Sequence, residues 1–415
     1  MAIQRLSSAV QHDDYMKSRE LIDMTEHFSA QNYAPLEVVI RSGQNAWVED
    51  VDGHRYIDCL SAYSALNFGH QNPRITKVAH QQLDTLTLVS RAFYADSVAY
   101  CCKELSELCG MDKVLLMNSG AEAVETAVKA VRKWGYEVKG IPQNRAEIIV
   151  FNDNFHGRTT TIVGFSTSPL SQKGFGPFSG GFKAIQYGHV AAFEDAINEN
   201  TAGVIFEPIL GEGGVIIPPA GFIKNLREIC TRRNVLMVAD EIQTGLCRTG
   251  KVFACEHEGV QPDMYILGKS LGGGIIPISC IAANKELMKV FTPGTHGSTF
   301  GGNPFACAIA REVIALIREE KPHEKAAELG AHALQRLQAM KSKVVTAIRG
   351  KGLMIGFDID PKAGTAKDFC KKIKYAGVLC KDTRVQTIRL APPLTISKQD
   401  LDLALDRIIK VMEDA

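Results

Sequence analysis

The chain has 415 residues, of which 45% are hydrophobic, enough for a large core and more typical of two domains than of one. Its 47 basic and 46 acidic residues are interspersed and leave a net charge of +1, which argues against a nucleic acid or a membrane surface as partner. No apolar run reaches the roughly 18 residues that a membrane-spanning helix needs.

The N-terminal residues and the cysteines indicate the cellular compartment of the protein. Residues 1–20 contain no apolar stretch typical of a signal peptide, and the early acids Asp13 and Asp14 are unusual in a transit peptide. The eleven cysteines form no Cys-x-x-Cys pair and no cluster with histidine at metal-binding spacing. We therefore expect a cytoplasmic protein, reduced thiols and no metal site.

The elements in the first two thirds of the chain indicate an α/β domain. Strands are predicted around "AWVEDVDGHRYIDCL", and we expect the N-terminal segment 1–60 to contribute to a small domain. From about residue 114 to 282, short apolar strands alternate with longer amphipathic helical patterns. This alternation is typical of a mostly parallel sheet covered by helices, and we assign residues 61–310 to it.

The remaining third has a different pattern of predicted helices and strands. A long helical region covers about residues 303–342, and short strands follow in "IRGKGLMIGFDID", "VLCK" and "TIRLAPPL". The last helix is predicted to open at Ser397–Asp400, where "SKQD" suggests a capping box. Residues 311–415 are expected to form a smaller α+β domain together with the N-terminal strands.

Polar residues lie where the predicted strands of the large domain end. They are Asn118, Ser119, Asn152, Glu207, Asp240 and Lys269. Because ligands of parallel sheets gather at the carboxyl ends of the strands, we expect a site there.

Lys269, in "YILGKSLGGG", allows several interpretations. Gly268, Lys269 and Ser270 spell the end of a phosphate-binding P-loop, but Asp263 stands where that motif requires its first glycine. A lysine that ends a strand and points into solvent is the plain alternative. A third possibility is a lysine that binds a cofactor.

Asp240 favours the third possibility. It ends the apolar strand in "VADEIQTG", and a buried carboxylate is costly unless it is paired. In pyridoxal phosphate enzymes, an aspartate holds the protonated ring nitrogen while a lysine binds the cofactor covalently. A helix cap is the alternative role for an isolated aspartate at this position.

Two further stretches fit such a cofactor. In "MNSGAEAVETA", Ser119 and Gly120 precede a predicted helix, whose free N–H groups and dipole would attract a phosphate. In "NFHGRTT", Phe155 and His156 lie in a turn where an aromatic ring could stack on the cofactor, although ordinary packing is the more common role of such a residue.

With these motifs assembled, the chain resembles the class III, fold-type I pyridoxal phosphate aminotransferases over nearly its whole length, and the ornithine aminotransferases most of all. The resemblance rests on motifs that occur in the family's order: "MNSGAEAVETA", "NFHGRTT", "FEPILGEGGV", "ADEIQTGLCRTG", "LGKSLGGG", "HGSTFGGNP" and "IRLAPPL". It implies a large domain with a mostly parallel seven-stranded sheet and a smaller α+β domain built from both termini.

The resemblance also implies roles at the cofactor. Lys269 would form the Schiff base with pyridoxal phosphate, Asp240 would pair with the pyridinium nitrogen, Gln243 would bond the O3' atom and Phe155 would stack on the ring. The phosphate-binding residues that it implies are Gly120 and Ala121 from one subunit, with Ser298 and Thr299 from the other. A homodimer with shared active sites follows from that arrangement.

Six residues are assigned to the small-molecule substrate. They are Tyr33, Tyr63, Arg158, Glu207, Glu212 and Arg389. By resemblance, Tyr33 and Tyr63 shape an ornithine pocket, and Arg158 holds the distal carboxylate. Arg389 binds the carboxylate beside the reacting carbon, and Glu212 pairs with it as a switch. Arginine's planar fork suits carboxylates, although a surface ion pair is the ordinary role of such a residue.

The implied reaction transfers the δ-amino group of ornithine to 2-oxoglutarate and gives glutamate 5-semialdehyde and glutamate. Only Tyr33 and Tyr63 favour ornithine over N-acetylornithine, 4-aminobutyrate or lysine as the donor. The same scaffold hosts aminomutases, decarboxylases and non-catalytic relatives. Leu210, Phe300 and the run Ser270 to Gly272 depart from the usual family pattern, but none of these positions has a catalytic role.

Overall fold

The structure is a computed structural model that describes residues 17–415. Residues 1–16, which include Asp13 and Asp14 and part of the predicted N-terminal segment, lie outside the described residues.

Fifteen strands are present in the part of the chain that the structure describes. They are β1 (Ile40–Gln44), β2 (Trp47–Asp50), β3 (Arg55–Asp58), β4 (Lys113–Met117), β5 (Glu147–Phe151), β6 (Phe182–Ile185), β7 (Thr201–Phe206), β8 (Leu236–Asp240), β9 (Met264–Leu267), β10 (Ser279–Ala283), β11 (Val345–Lys351), β12 (Met354–Ile359), β13 (Val378–Leu379), β14 (Lys381–Thr383) and β15 (Thr387–Leu390).

Fourteen α-helices are present within residues 17–415. They are α1 (Ser18–Phe28), α2 (Ser61–Ser64), α3 (Pro73–Leu83), α4 (Asp96–Cys109), α5 (Gly120–Trp134), α6 (Thr160–Gly164), α7 (Pro169–Gln172), α8 (Val190–Ala196), α9 (Phe222–Arg233), α10 (Lys285–Met288), α11 (Pro304–Glu320), α12 (Pro322–Gln338), α13 (Ala366–Tyr375) and α14 (Lys398–Glu413).

The largest sheet has seven strands in the order β4-β10-β9-β8-β7-β5-β6. Neighbouring strands from β9 to β6 are parallel, whereas β10 runs antiparallel to both β4 and β9. Every residue of β7 and β8 is buried, which is why these strands are continuously apolar rather than alternating. The predicted mostly parallel seven-stranded sheet is confirmed.

Two smaller sheets hold the remaining strands. The first has the order β1-β2-β3-β13, so Val378 and Leu379 pair in parallel with Ile57 and Asp58 of the N-terminal part. The second is antiparallel, in the order β11-β12-β15-β14. Residues from both ends of the chain thus share the first of these sheets.

Two local predictions need correction. The long helical region is split into α11 and α12 at Lys321, whose φ of 46° is left-handed and which precedes a proline that disfavours helix in the residue before it. At the start of α14, Ser397 accepts from the Asp400 N–H at 2.9 Å. The Asp400 carboxylate, however, accepts from the Ser397 hydroxyl and from Trp47 Nε1, so the reciprocal half of the capping box is not formed.

Among residues 17–415, no helix combines the length and the apolar composition needed to cross a bilayer.

Arg248 connects the large sheet's loops to the C-terminal sheet. Its side chain is fully buried, and Nη1 donates to the Leu353 carbonyl at 3.0 Å and to the Pro392 carbonyl at 2.6 Å. Nη2 donates to Asn67 Oδ1. Burial lowers the pKa of Arg248 to about 9, so the side chain is still a cation at neutral pH. One guanidinium therefore satisfies three buried acceptors from distant parts of the chain.

We expect Arg248→Met to lower the free energy of unfolding by about 3 kcal/mol, because each buried acceptor left without a donor costs roughly 1–3 kcal/mol. Denaturant unfolding of cofactor-free protein would measure the change. The control is Arg232→Met, which removes only an exposed pair with Glu194, worth about 0–1 kcal/mol. Equal stability of the two variants would contradict the role of Arg248.

Candidate active site

A cavity of about 200 Å³ lies at the carboxyl ends of β7, β8 and β9. Its lining consists of Gly120, Ala121, Phe155, His156, Gly157, Glu207, Glu212, Asp240, Ile242, Gln243 and Lys269. Nine of these residues were predicted from the sequence as site residues. Gly157 and Ile242 were not, and small or apolar wall residues carry no sequence signal of their own.

Asp240, the last residue of β8, is held from two sides. Its Oδ2 lies 2.6 Å from Nδ1 of the buried His156, and its Oδ1 accepts from the Ile242 N–H at 3.1 Å. Burial acts to lower the pKa of His156, but the hydrogen bond and charge of Asp240 outweigh it and raise that pKa. The Asp240 carboxylate is thus buried and hydrogen-bonded from two sides, a position that suits pairing with a protonated ring nitrogen.

Glu207, just after β7, uses both carboxylate oxygens on backbone groups. Oε2 accepts from the Phe155 N–H at 2.9 Å, and Oε1 accepts from the Gly211 N–H at 3.2 Å. Burial raises the pKa of Glu207 to about 7, with His156 opposing and Asp240 supporting the shift. The side chain was predicted to bind substrate; in the structure it fixes the backbone of Phe155 and of the loop that begins at Gly211.

Lys269 follows β9 and lines the cavity in a short 3₁₀ turn. Its φ of 44° is left-handed, which is uncommon for a residue other than glycine. Burial lowers the pKa of Lys269 despite the opposing charges of Glu212 and Asp240. A larger share of neutral amine is therefore available at this position than on an exposed lysine.

The N-terminus of α5 offers an anion site. Ser119 caps the helix by accepting from the Glu122 N–H, and the Glu122 carboxylate accepts from the Ser119 N–H at 2.7 Å. Among the described residues, nothing accepts from the N–H groups of Gly120 and Ala121, and both residues line the cavity. Free N–H groups at a helix start fit the phosphate of the predicted cofactor.

Arg389 of β15 contacts two residues that line the cavity, Glu212 and Gln243. It is 1% exposed, and its Nη1 lies 2.7 Å from Glu212 Oε1 and 3.4 Å from Gln243 Oε1. Burial acts to raise the pKa of Glu212, but the charge of Arg389 outweighs it and lowers that pKa. The Nε and Nη2 atoms of Arg389 have no partner among the described residues. A buried guanidinium with two spare donors is suited to bind a carboxylate.

Tyr63 lies against Arg389, with the guanidinium carbon 5.2 Å from the centre of the ring. It belongs to α2, in which all four residues are left-handed, with φ of 48°, 46°, 61° and 72°. Burial raises the pKa of Tyr63, and the charges of Glu212 and Tyr33 add to the shift. Tyr33 itself is 67% exposed, and a shared role of the two tyrosines in an ornithine pocket stays a prediction.

Six predicted residues do not line the cavity: Tyr63 and Arg389, described above, and four others. Tyr33 and Arg158 are exposed, with the Arg158 guanidinium 5.4 Å from the centre of the Phe155 ring. Ser298 and Thr299 line a different hollow together with residues 88–91, and the Ser298 hydroxyl accepts from Asn118 at 2.8 Å. Their roles stay predictions.

Two residues that hold the loop containing Glu212 were not predicted from the sequence. Thr383 and Arg349, both in the C-terminal sheet, donate hydrogen bonds to its carbonyl groups. These contacts join positions more than 130 residues apart, and no local motif marks them.

Comparison with known proteins decides the family, because the model of the family described as Aminotransferase class-III matches residues 28–412. The chain belongs to this family. The class III aminotransferase described here is 51% identical to an ornithine aminotransferase of Brevibacillus brevis, over 95% of this chain and 98% of that protein. The predictions of family and of fold type are confirmed.

Solved structures agree with this assignment. An ornithine aminotransferase from Toxoplasma gondii, crystallised with partial occupancy of PLP at its active site, superposes with a TM-score of 0.94. It is 43% identical, over 95% of this chain and 94% of that chain. An acetylornithine aminotransferase from Elizabethkingia anophelis has a TM-score of 0.87 and 42% identity, over 96% and 100% of the two chains. Neither the fold nor the overall sequence identity to these two structures therefore identifies the amino donor.

The raised pKa of Glu207 gives this class III aminotransferase a testable pH dependence. The folded state keeps the proton up to about pH 7, whereas an unfolded glutamic acid releases it near its ordinary value of 4.5. The stabilisation from this group is therefore complete below pH 4.5 and is lost as pH rises to 7. We expect Glu207→Gln, which cannot ionise, to gain stability relative to the unsubstituted protein by about 3 kcal/mol over that range.

The measurement is the free energy of unfolding of the cofactor-free protein at several pH values. Glu199→Gln is the matched control, because Glu199 is exposed. Parallel pH profiles for the Glu207 variant and the unsubstituted protein would show that Glu207 ionises normally.

Proposed function

We propose that the protein is a pyridoxal phosphate-dependent ornithine aminotransferase. It transfers the δ-amino group of L-ornithine to 2-oxoglutarate and gives glutamate 5-semialdehyde and glutamate. The observation that carries the choice of reaction is the ion pair between Glu212 and the buried Arg389, because it occupies a guanidinium whose charge acts on Lys269. The names of the relatives support the same donor.

The cofactor would be held by the residues at the strand ends. The N–H groups of Gly120 and Ala121 bind its phosphate, Asp240 pairs with the ring nitrogen, Phe155 stacks on the ring, and Gln243 bonds the O3' atom. Lys269 binds it covalently. When bound, pyridoxal phosphate supplies the electron sink and carries the amino group between the two substrates.

Lys269 also moves a proton. When Lys269 is not bound to the cofactor, its lowered pKa would favour the neutral amine. A neutral amine in a desolvated site is able to take a proton from the reacting carbon of the substrate and return it later. The charges of Glu212 and Asp240 oppose this lowering of the Lys269 pKa.

The ion pair of Glu212 and Arg389 solves a problem of regiochemistry. Ornithine reacts at its distal amine, whereas glutamate reacts at the amine next to its α-carboxylate. An open Arg389 would bind the α-carboxylate of ornithine beside Lys269 and present the wrong nitrogen. With Glu212 on Arg389, ornithine's α-carboxylate and α-amine are left to Arg158 and Tyr33 at the open side. 2-Oxoglutarate then displaces Glu212 and binds Arg389 in its place.

We also propose a homodimer that shares its active sites. Ser298 and Thr299 lie outside the Lys269 cavity, and Phe93, Tyr94 and Phe300 are exposed in segments next to their hollow. A second copy of the chain that covers these aromatic residues would receive Ser298 and Thr299 at its phosphate site.

The domain limits and the location of the protein are further parts of the proposal. We propose domains at 1–60 and 311–415 around a cofactor-binding domain at 61–310. A cytoplasmic location is supported by the eleven cysteines, all of which are free thiols.

The first test is the visible absorbance of the purified holoenzyme after separate additions of ornithine, N-acetylornithine, 4-aminobutyrate and lysine. We expect ornithine alone to bleach the band of the bound cofactor and 2-oxoglutarate to restore it. Faster bleaching by N-acetylornithine or 4-aminobutyrate would move the protein to another specificity of the same family. Bleaching that is not reversed by 2-oxoglutarate would contradict aminotransfer.

The second test is Glu212→Ala. Without the glutamate, Arg389 stays open, so the rate of the half-reaction with glutamate should rise relative to that with ornithine. The expected change in the ratio is roughly tenfold to a hundredfold, since a hydrogen bond to a charged group is worth about 1.5–3 kcal/mol. Single-turnover rates with each donor give the ratio, and Glu199→Ala is the exposed control. A ratio equal to that of the control would rule out the masking role.

A further inference from the structure

Glu212 lies at the tip of a small closed loop that runs from Leu210 to Ile216. The two end residues exchange backbone hydrogen bonds, Leu210 N–H to Ile216 at 3.1 Å and Ile216 N–H to Leu210 at 3.0 Å. Inside the loop, Val215 has a φ of 53°, a left-handed value that is strongly disfavoured for a β-branched residue. Such a conformation persists only when surrounding groups hold it.

The groups that hold the loop come from the C-terminal sheet. Thr383, the last residue of β14, donates its hydroxyl to the Glu212 carbonyl at 2.6 Å. Arg349, in β11, donates Nε to the carbonyls of Gly214 and Val215, each at 3.0 Å. The Asp358 carboxylate binds both Nη atoms of Arg349, at 2.7 and 2.9 Å, and so fixes the direction of the guanidinium.

The same sheet carries the partner of Glu212. Strands β14 and β15 are antiparallel neighbours, with Thr383 opposite Thr387 and Lys381 opposite Arg389. Thr387 donates its hydroxyl to Asp358 at 2.6 Å, which links it to the group that orients Arg349. Strands β14 and β15 form a two-stranded ribbon. This ribbon thus holds both the backbone of Glu212 and the Arg389 guanidinium that pairs with the Glu212 side chain.

We propose that Thr383 and Arg349 are positioning residues for Glu212 and thereby set how strongly the protein prefers the distal amine of its donor. By holding the loop on the ribbon, they keep the carboxylate on Arg389 until a dicarboxylate displaces it. Neither side chain lines the cavity, so both act through Glu212. The effect on donor preference rests on the proposed function.

The test replaces the Thr383 hydroxyl and keeps the shape of the side chain. In Thr383→Val holoenzyme, the Glu212 carbonyl loses its donor, and Glu212 should leave Arg389 more easily. We expect the ratio of the single-turnover rate with glutamate to that with ornithine to rise about threefold to tenfold, the value of one hydrogen bond. Thr383→Ser keeps the hydroxyl and should keep the original ratio.

Two more variants complete the set. Thr346→Val removes a hydroxyl from an exposed position of β11 that does not contact the loop, and it should leave the ratio unchanged. Arg349→Lys keeps the charge but cannot bind two carbonyls and a carboxylate together, so it should shift the ratio in the same direction as Thr383→Val. An unchanged or lowered ratio in both variants would overturn the proposal, even if one of them folds poorly.

A second measurement does not need an amino donor. Glutarate, a dicarboxylate that cannot react, would compete with Glu212 for Arg389, and calorimetric titration of holoenzyme measures its affinity. We expect Thr383→Val to bind glutarate about threefold to tenfold more tightly than Thr383→Ser does. If the unsubstituted enzyme fails to react with ornithine, the proposed function fails and this titration alone decides the positioning role. Equal affinities would then refute that role.

Discussion

The ion pair between Glu212 and Arg389 connects the large sheet to the C-terminal sheet at the cavity. Arg389 is almost fully buried, and a buried charge is tolerated only when an opposite charge or several hydrogen bonds accompany it. Lys269, Asp240 and His156 line the cavity together with Glu212, so cationic and anionic groups are close neighbours there. The neighbouring charges act on the pKa values of Glu212, Lys269 and His156.

The Glu207 carboxylate has two structural roles. It fixes the backbone of Phe155, which lies where the cofactor ring is expected, and the backbone of Gly211, where the Glu212 loop begins. A Cβ atom at position 211 would overlap the Gln243 side chain, which would then have to move. The backbone of Phe155 and the Glu212 loop are thus adjoining segments with little space between them. A change in the position of one segment therefore displaces the other.

The strand-end residues were predictable because parallel strands bring their carboxyl ends to one edge, and Glu207, Asp240 and Lys269 each follow a continuously apolar run. The same reasoning did not reveal what Glu207 does, since its backbone partners depend on how the following loops fold. Thr383 and Arg349 could not be found at all, because an isolated Thr or Arg in a short strand is ordinary. Tyr33, Arg158, Ser298 and Thr299 came from family resemblance alone, and the folded chain leaves them outside the cavity.

The left-handed turn of α2 has a consequence for the stability of the protein. Four successive residues there, none of them glycine, adopt a backbone that costs L-amino acids roughly 1–2 kcal/mol each. The turn presents Tyr63 to Arg389, so a conformation that opposes folding is retained where the chain shapes its pocket. In this turn the natural sequence is not the most stable one that the fold allows. Glycine, which usually destabilises a helix or strand, would relieve the unfavourable backbone conformation here.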